Sequence, residues 1–178
     1  DQSDRTGHKP KKDELIAVGQ VFLPRADFGA QETCRTIVET EVLRMGYDIY
    51  GWRHVPVKID CLGEKANATR PEIEQILISN SKGVDEDTFE RELYVIRRRI
   101  EKSASRAGVS QLYLASLSCR SIIYKGMMLA EQVAVFYPDL CDERFTASFA
   151  IYHQRYSTNT FPQWWLAQPF RMLAHNGE

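Results

Sequence analysis

The sequence lacks long apolar runs and has no excess of charge of either sign. Its 178 residues carry 23 Lys and Arg against 24 Asp and Glu, a net charge of -1. This balance gives no field that attracts nucleic acid or an anionic membrane. The apolar runs are far too short to cross a bilayer, and no basic-then-apolar signal stands at the start. We therefore predict a soluble chain without a nucleic-acid or membrane partner.

Closely spaced cysteines are also missing, although the chain has four, at Cys34, Cys61, Cys119 and Cys141. Such spacing predicts neither a zinc site nor a redox dithiol. We expect buried free thiols in a reducing compartment, because cytosolic cysteines mostly behave as small hydrophobes. His153 and His175 have no acidic residue or third histidine near them in sequence. We therefore predict no metal site.

An initiator methionine is absent, and the chain opens with a polar run. We expect residues 1–13 to be a polar leader in a loop conformation. Residues 14–178 are expected to be a partial domain, and the chain an internal fragment of a longer protein.

Hydrophobic periodicity divides the remaining residues into strands and helices. Residues 15–23 are nearly all apolar, which predicts a strand buried on both faces. Helical spacing of apolar residues predicts helices over residues 26–45 and 85–106, the first closed by Gly46. Further strands are predicted at residues 51–57, 75–79, 112–117, 121–124 and 145–152, with 112–117 and 121–124 as an antiparallel pair. This order predicts an α+β or layered α/β domain with a largely antiparallel sheet.

The strand predicted at residues 145–152 would place Arg155 just beyond its carboxyl end. Short hydroxyl and amide side chains follow in a turn, among them Thr158 and Asn159, which is the composition of a pocket wall. A buried structural ion pair and a ligand contact are equally compatible with Arg155 alone. The fork of fixed donors suits a carboxylate, and the neighbouring polar cluster favours the ligand.

Asn176 and Gly177 follow a short apolar run. The amide side chain offers an N–H donor, and glycine lets the backbone turn its own N–H toward a ligand. Two such donors suit a developing oxyanion, where one donor contributes about 3 kcal/mol. The dipeptide alone favours a hairpin turn, since Asn-Gly is the commonest short one. Trp164 and Trp165 are compatible with base stacking, but packing under a loop is their ordinary role.

Several separated motifs, in order along nearly the whole chain from about residue 14, resemble the amidotransferase domain of the glutamate synthase large subunit. The resemblance is carried by residues 155–162, 166–171 and 174–178, and earlier by residues 51–57, 89–94, 116–120 and 136–140. It implies a type 2 glutamine amidotransferase of the N-terminal-nucleophile hydrolase type. The implied fold is a four-layer αββα sandwich, here incomplete at both ends.

In that family an amino-terminal cysteine attacks the glutamine side-chain amide, with its own α-amine as the base through a water. The ammonia then travels through an internal tunnel. By motif position, the resemblance implies that Arg155 holds the glutamine α-carboxylate and that Thr158 and Asn159 shape the same pocket. It also implies that the Asn176 side chain and the Gly177 backbone N–H form the oxyanion hole. We expect these groups to line one small cavity.

The resemblance further implies that the ammonia reacts with 2-oxoglutarate at a distant flavin. FMN and an iron–sulfur cluster are expected in other domains and no cofactor in this chain. The implied partners are L-glutamine, the rest of the glutamate synthase chain, and NAD(P)H or ferredoxin as the electron donor. The implied location is the cytoplasm, or the plastid in a photosynthetic eukaryote.

Two alternatives remain open. The first is the glutaminase domain of another amidotransferase, such as a phosphoribosylamine- or sugar-amine-forming enzyme, although the insertion at residues 161–170 favours glutamate synthase. The second is a non-catalytic module in which Arg155 anchors an acidic metabolite. A processed amino-terminal Cys-Gly upstream would indicate the enzyme, and its absence the module.

The isolated chain is expected to lack glutaminase activity. By resemblance, the nucleophilic cysteine lies upstream and the aspartate that receives the substrate α-amino group lies downstream, so none of the four cysteines here is assigned as the nucleophile. Ammonia release from glutamine by the isolated polypeptide, abolished by Arg155→Ala, would contradict this prediction.

Overall fold

Residues 14–155 and 161–170 are described in the computed structural model of the chain, and they divide into two compact units. The first unit contains the chain up to Val55 together with Pro71–Ile122. The second contains Pro56–Arg70 and the chain from Ile123 onward. The leader predicted at residues 1–13 lies outside the described residues, and the assignment of residues 14–178 to a single partial domain stays a prediction.

An antiparallel sheet of four strands is the centre of the first unit. Its strands are β1 (Ile16–Leu23), β2 (Asp48–His54), β3 (Glu72–Ser79) and β4 (Tyr113–Ser118). Their order is β2-β3-β1-β4, and every neighbouring pair is antiparallel. The strands predicted at residues 15–23, 75–79 and 112–117 are confirmed. The strand predicted at 51–57 begins earlier and ends before Pro56, and it lies at the sheet edge as proline requires.

Two long helices accompany this sheet, α1 (Phe28–Arg44) and α3 (Glu86–Arg106), with the short α2 (Glu64–Ala68) between them in sequence. Aspartates cap both long helices: Asp27 accepts from the Ala30 N–H and Asp85 from the Thr88 N–H, each at 2.9 Å. Gly46 follows α1 with a φ of 80°, the left-handed conformation in which glycine is strain-free. Both predicted long helices are confirmed.

The core lies between one face of the sheet and these two helices. Apolar side chains of strands and helices form one buried cluster. It includes Ala17 and Val21 of β1, Ile76 and Ile78 of β3, Val38 and Val42 of α1, and Phe89, Leu93, Ile96 and Ile100 of α3. The α3 residues recur every three or four positions, so one stripe of the helix is buried. The helical spacing of apolar residues that predicts α3 is therefore the spacing of the residues that pack.

Polar side chains occupy the opposite face of the sheet at one level of the register. Arg53 pairs with Gln75, and Gln75 pairs with Gln20, across three neighbouring strands. The Arg53 Nη1 donates to Gln75 Oε1 at 2.7 Å, and Gln75 Nε2 donates to Gln20 Oε1 at 2.8 Å. All three residues are buried. The row fixes the register on the face that the helices leave uncovered, because a slip of one residue would separate every pair.

The second unit is built from short helical turns, with no strand among its described residues. These turns are Ile59–Cys61, α2, Ala130–Gln132, α4 (Val133–Phe136), Pro138–Cys141 and Trp164–Leu166. Buried aromatic rings from Phe136, Tyr137 and Trp164 hold the unit together.

Two predicted strands are wrong. Residues 121–124 have no strand geometry, and β4 pairs with β1 instead of with them. Residues 143–155, here called the arm, are exposed throughout and have no regular secondary structure, so the half-buried strand predicted at 145–152 is not formed. Alternation along a sequence gives a strand only where a neighbour pairs with it, and no described strand does so here.

The cysteines differ in environment, and all four are free. Cys34 is buried as predicted, Cys61 and Cys119 are half-buried, and Cys141 is exposed, so the prediction of buried thiols holds fully only for Cys34. Among the described residues, every helix is either too short or too polar to span a bilayer.

Candidate functional site

Arg155 lies at the end of the exposed arm. Its neighbours Phe149, Ile151 and Tyr152 are 77–80% exposed, and Arg155 itself is exposed. Within the described residues this guanidinium is exposed and not part of a buried ion pair. Its donors are accessible from solvent, as a ligand contact requires.

The other four predicted site residues, Thr158, Asn159, Asn176 and Gly177, lie outside the described residues, as does the polar cluster that contains the first two. Their roles, and the shared cavity, stay predictions. Residues 161–170 lie in the sequence between Thr158 and Asn159 on one side and Asn176 and Gly177 on the other. The structure describes this segment and its contacts.

Trp164 fixes this segment to the second unit. It is 1% exposed, its Nε1–H donates to the Ala66 carbonyl at 2.9 Å, and its ring centroid lies 5.6 Å from that of Phe136. Gly126 lies against the indole, where an added Cβ would come within 2.4 Å of a ring carbon. Only glycine admits this close approach. Packing is thus the role of Trp164, whereas Trp165 is 42% exposed.

A buried lysine holds the backbone that follows. Lys125 is 3% exposed, and its Nζ donates to the carbonyls of Trp165 at 3.0 Å and Ala167 at 2.8 Å. The same Nζ lies 4.7 Å from the centroid of the Phe170 ring, within the range of a cation–π contact. The Lys125 ammonium therefore contacts two backbone carbonyls and one aromatic ring of the segment.

Tyr137 holds Lys125 from the other side. Its hydroxyl donates to the Lys125 carbonyl at 2.8 Å, and the side chain is fully buried. Burial raises the pKa of this phenol, so the hydroxyl keeps its proton and remains a donor. Both the main chain and the side chain of Lys125 are thus engaged.

The thiols of Cys34 and Cys119 are poor nucleophiles in this fold. Burial raises the pKa of Cys34 to about 11. Burial, followed by the nearby Glu90 carboxylate, raises the pKa of Cys119 to about 11. Only the thiolate attacks, and both groups are protonated at neutral pH. This agrees with assigning neither as the nucleophile.

One group of potential metal ligands occurs among the described residues, formed by His54, Glu72 and Glu74. Arg35 occupies the Glu74 carboxylate with two hydrogen bonds, from Nε to Oε2 at 2.9 Å and from Nη2 to Oε1 at 2.5 Å. This geometry is that of a structural ion pair.

Lys125 and Gly126 were not singled out by the sequence analysis. The available signal is that a lysine and a glycine interrupt the otherwise apolar residues 122–129. A long cationic side chain is mostly solvent-exposed, and only a partner distant in sequence makes its burial favourable. Here the partners come some 40 residues later.

Comparison with known proteins gives a family and several close relatives. Residues 1–178 match the family described as glutamine amidotransferases class-II. The chain is 67% identical over 172 residues to the glutamate synthase [NADPH] large chain of Azospirillum brasilense, covering 97% of this chain and 11% of the relative. Identity to the chloroplastic ferredoxin-dependent glutamate synthase of Spinacia oleracea is 48% over 162 residues, covering 90% of this chain and 10% of the relative.

A third relative is the glutamate synthase [NADPH] large chain of Bacillus subtilis, 41% identical over 174 residues, covering 95% of this chain and 11% of the relative. The chain thus spans about a tenth of the length of these relatives. The family match confirms the predicted α+β fold of the N-terminal-nucleophile hydrolase type, to which the antiparallel sheet and its helices conform. The chain belongs to the class-II glutamine amidotransferase family.

Proposed function

We propose that this chain is part of the glutaminase domain of a glutamate synthase. The observation that carries the proposal is the 67% identity, over nearly the whole chain, to a glutamate synthase large chain. The reaction is hydrolysis of the glutamine side-chain amide, in which water adds, the C–N bond breaks and ammonia leaves with glutamate as the other product. The ammonia then serves the reductive amination of 2-oxoglutarate to glutamate.

In this proposal residues 155–159 bind glutamine, and residues 176–177 stabilise the oxyanion. Arg155, whose donors are open to solvent, binds the α-carboxylate of glutamine through two parallel hydrogen bonds. Thr158 and Asn159 shape the same pocket. The Asn176 side chain and the Gly177 N–H stabilise the oxyanion that forms when the amide carbon is attacked. The nucleophile is an amino-terminal cysteine, not one of the four cysteines of this chain.

Other domains of a glutamate synthase supply the redox chemistry. FMN and an iron–sulfur cluster belong there, with NAD(P)H or ferredoxin as the electron donor, since relatives with NADPH and with ferredoxin in their names both match this chain. The proposed location is the cytoplasm, or the plastid in a photosynthetic eukaryote, in keeping with a chloroplastic relative.

Arg155→Lys tests the carboxylate role directly. A lysine ammonium replaces the two-pronged donor with a point charge, so one of two charge-assisted hydrogen bonds is lost. Such a bond contributes about 1.5–3 kcal/mol. We expect KM for glutamine to rise about 10- to 100-fold with little change in kcat. The measurement is glutamine-dependent ammonia release by the complete polypeptide that carries this sequence.

Arg144→Lys is the matched control. Arg144 lies in the same exposed arm and pairs locally with Asp142 at 2.7 Å, so the same substitution there should leave KM unchanged. An unaltered KM for Arg155→Lys would count against carboxylate binding. Absence of glutaminase activity in the unsubstituted complete polypeptide would refute the proposed function and favour the non-catalytic module.

A further inference from the structure

One histidine and two glutamates form a cluster of potential ligands at the edge of the four-stranded sheet. His54 ends β2 and is paired in the register with Glu74 of β3, and Glu72 lies two positions before Glu74. Residues two apart in a strand share a face, so the three side chains stand on the side from which Arg35 of α1 reaches Glu74. One imidazole nitrogen and two carboxylate oxygens lie within 4.8 Å of one another.

The distances within this cluster are long for hydrogen bonds. The Nδ1 of His54 lies 3.4 Å from Glu72 Oε1 and 3.2 Å from Glu74 Oε1. A charge-assisted N–H···O bond is typically about 2.7–2.9 Å long. A protonated Nδ1 also has a single N–H, which cannot point at both oxygens at once. A proton is thus a poor bridge between this nitrogen and the two carboxylates.

A tetrahedral metal ion fits the same distances. With metal–ligand bonds of about 2.0–2.2 Å, the edge of a tetrahedron is about 3.3–3.6 Å long. The two distances from His54, 3.2 and 3.4 Å, fall within that range or just below it. Octahedral Mg²⁺, with bonds of about 2.0–2.1 Å, would need edges of about 2.9 Å and takes oxygen ligands. One imidazole with two carboxylates is a donor set that suits zinc.

The charges around the cluster favour a divalent cation. Glu32, Glu72 and Glu74 carry three negative charges. Arg35 contacts both Glu32 and Glu74 and supplies one positive charge. With a neutral His54 the excess is two negative charges, which one divalent ion balances.

Arg35 supports this arrangement without closing it. Its Nη2 donates to Glu74 Oε1 and its Nε to Glu74 Oε2. A carboxylate oxygen has two lone pairs, so Oε1 can accept from Arg35 and also coordinate an ion. Carboxylates that bind metals are themselves hydrogen-bonded, which fixes their orientation. The Glu74 side chain is 1% exposed and fixed, whereas that of His54 is 75% exposed and accessible to an ion from solvent.

We propose that His54, Glu72 and Glu74 bind a zinc ion, with water as the fourth ligand. The ion joins the edge strand β2 to β3 and stabilises their pairing, because it binds the folded sheet and not the separated strands. These ligands differ from His153 and His175, for which no metal site is predicted. The site is independent of the proposed glutaminase function.

Hydrogen exchange of the β2 and β3 backbone amides tests the site in the complete polypeptide, first treated with a chelator and then titrated with Zn²⁺. We expect zinc at 100 times its Kd to slow the exchange of the amides near His54 about 100-fold. Zinc bound to thiols elsewhere would not protect these amides in particular. Mg²⁺ at the same concentration should give no protection, because it does not match the nitrogen ligand or the distances.

His54→Gln removes the nitrogen ligand from an exposed position, so the variant should fold. We expect its affinity for zinc to fall by at least about 10- to 100-fold, a loss that even an outer-shell partner can produce. Glu72→Gln, which removes one anionic ligand, should show a similar loss. His153→Gln is the matched control, since His153 is exposed in the second unit and the same substitution there should leave the protection of β2 unchanged.

Three results would overturn the zinc site. No protection by zinc in the unsubstituted protein would mean that the three side chains form only an ion pair. Equal protection in His54→Gln and His153→Gln would mean that zinc binds elsewhere. Equal protection by Mg²⁺ and Zn²⁺ would mean that the carboxylates attract any divalent ion. None of these results bears on glutamine hydrolysis, so the proposed function would stand.

Discussion

Replacing Glu74 with glutamine is expected to lower the free energy of unfolding of the first unit by about 3 kcal/mol, the lower end for removing one partner of a buried ion pair. Glu74 is 1% exposed in the middle of the sheet, and Arg35 of α1 holds both its oxygens. Glutamine keeps the shape but not the charge, so the Arg35 guanidinium, 17% exposed, loses its main counter-ion. The link between α1 and β3 is then weakened.

Hydrogen exchange of the β3 backbone amides in the complete polypeptide measures this effect, because it reports the free energy of opening locally. Glu32→Gln is the matched control. Glu32 also pairs with Arg35 but is 73% exposed, and an exposed pair contributes about 0–1 kcal/mol. Equal protection of β3 in the two variants would contradict the prediction.

A double substitution separates the loss of the pair from the burial of a lone charge. Arg35→Met with Glu74→Leu removes both charges and fills the same space with apolar groups. Such replacements are often neutral or stabilising, so we expect the double variant to recover most of the protection lost in Glu74→Gln. A double variant less stable than either single one would mean that the pair itself stabilises the sheet.

The elements that could be predicted from the sequence are those whose pattern is local and complete. In α3, four apolar residues at helical spacing, an aspartate cap and arginines near the end agree with one another, and the helix forms where predicted. In β1, a short apolar run indicates burial on both faces, and six of its eight residues are buried. These two patterns predict the elements correctly because local propensity and burial favour the same structure.

The failures concern partners that are distant in sequence. Residues 112–117 and 121–124 looked like a hairpin because they are adjacent, but β4 pairs with β1, about a hundred residues earlier in the chain. Residues 145–152 alternate like a strand, yet they are exposed. Neither pairing nor its absence is encoded in the residues of a single segment.

In the candidate site, too, local features were predicted and contacts with distant partners were not. A carboxylate-binding role for Arg155 is predicted from the donor geometry of a guanidinium and stays a prediction, and the exposure of Arg155 agrees with it. The anchor at Lys125 could not be predicted, because no local rule places a lysine in a buried position with two backbone carbonyls as partners. The contacts of residues 125–126 with residues 164–170 likewise depend on partners that are distant in sequence.

Asn176→Asp is expected to lower kcat for glutamine hydrolysis about 100- to 1000-fold, the effect of removing one oxyanion donor. The carboxylate replaces an N–H donor by an acceptor at the point where negative charge develops, and Asn176→Ala should give a similar loss. The aspartate variant separates the two interpretations of the dipeptide, because Asp-Gly suits a tight hairpin turn as well as Asn-Gly does. If Asn176 and Gly177 only form a turn, Asn176→Asp keeps its activity and Asn176→Ala mainly loses stability. If they form the oxyanion hole, both variants fold, KM changes little, and steady-state ammonia release records the loss in kcat.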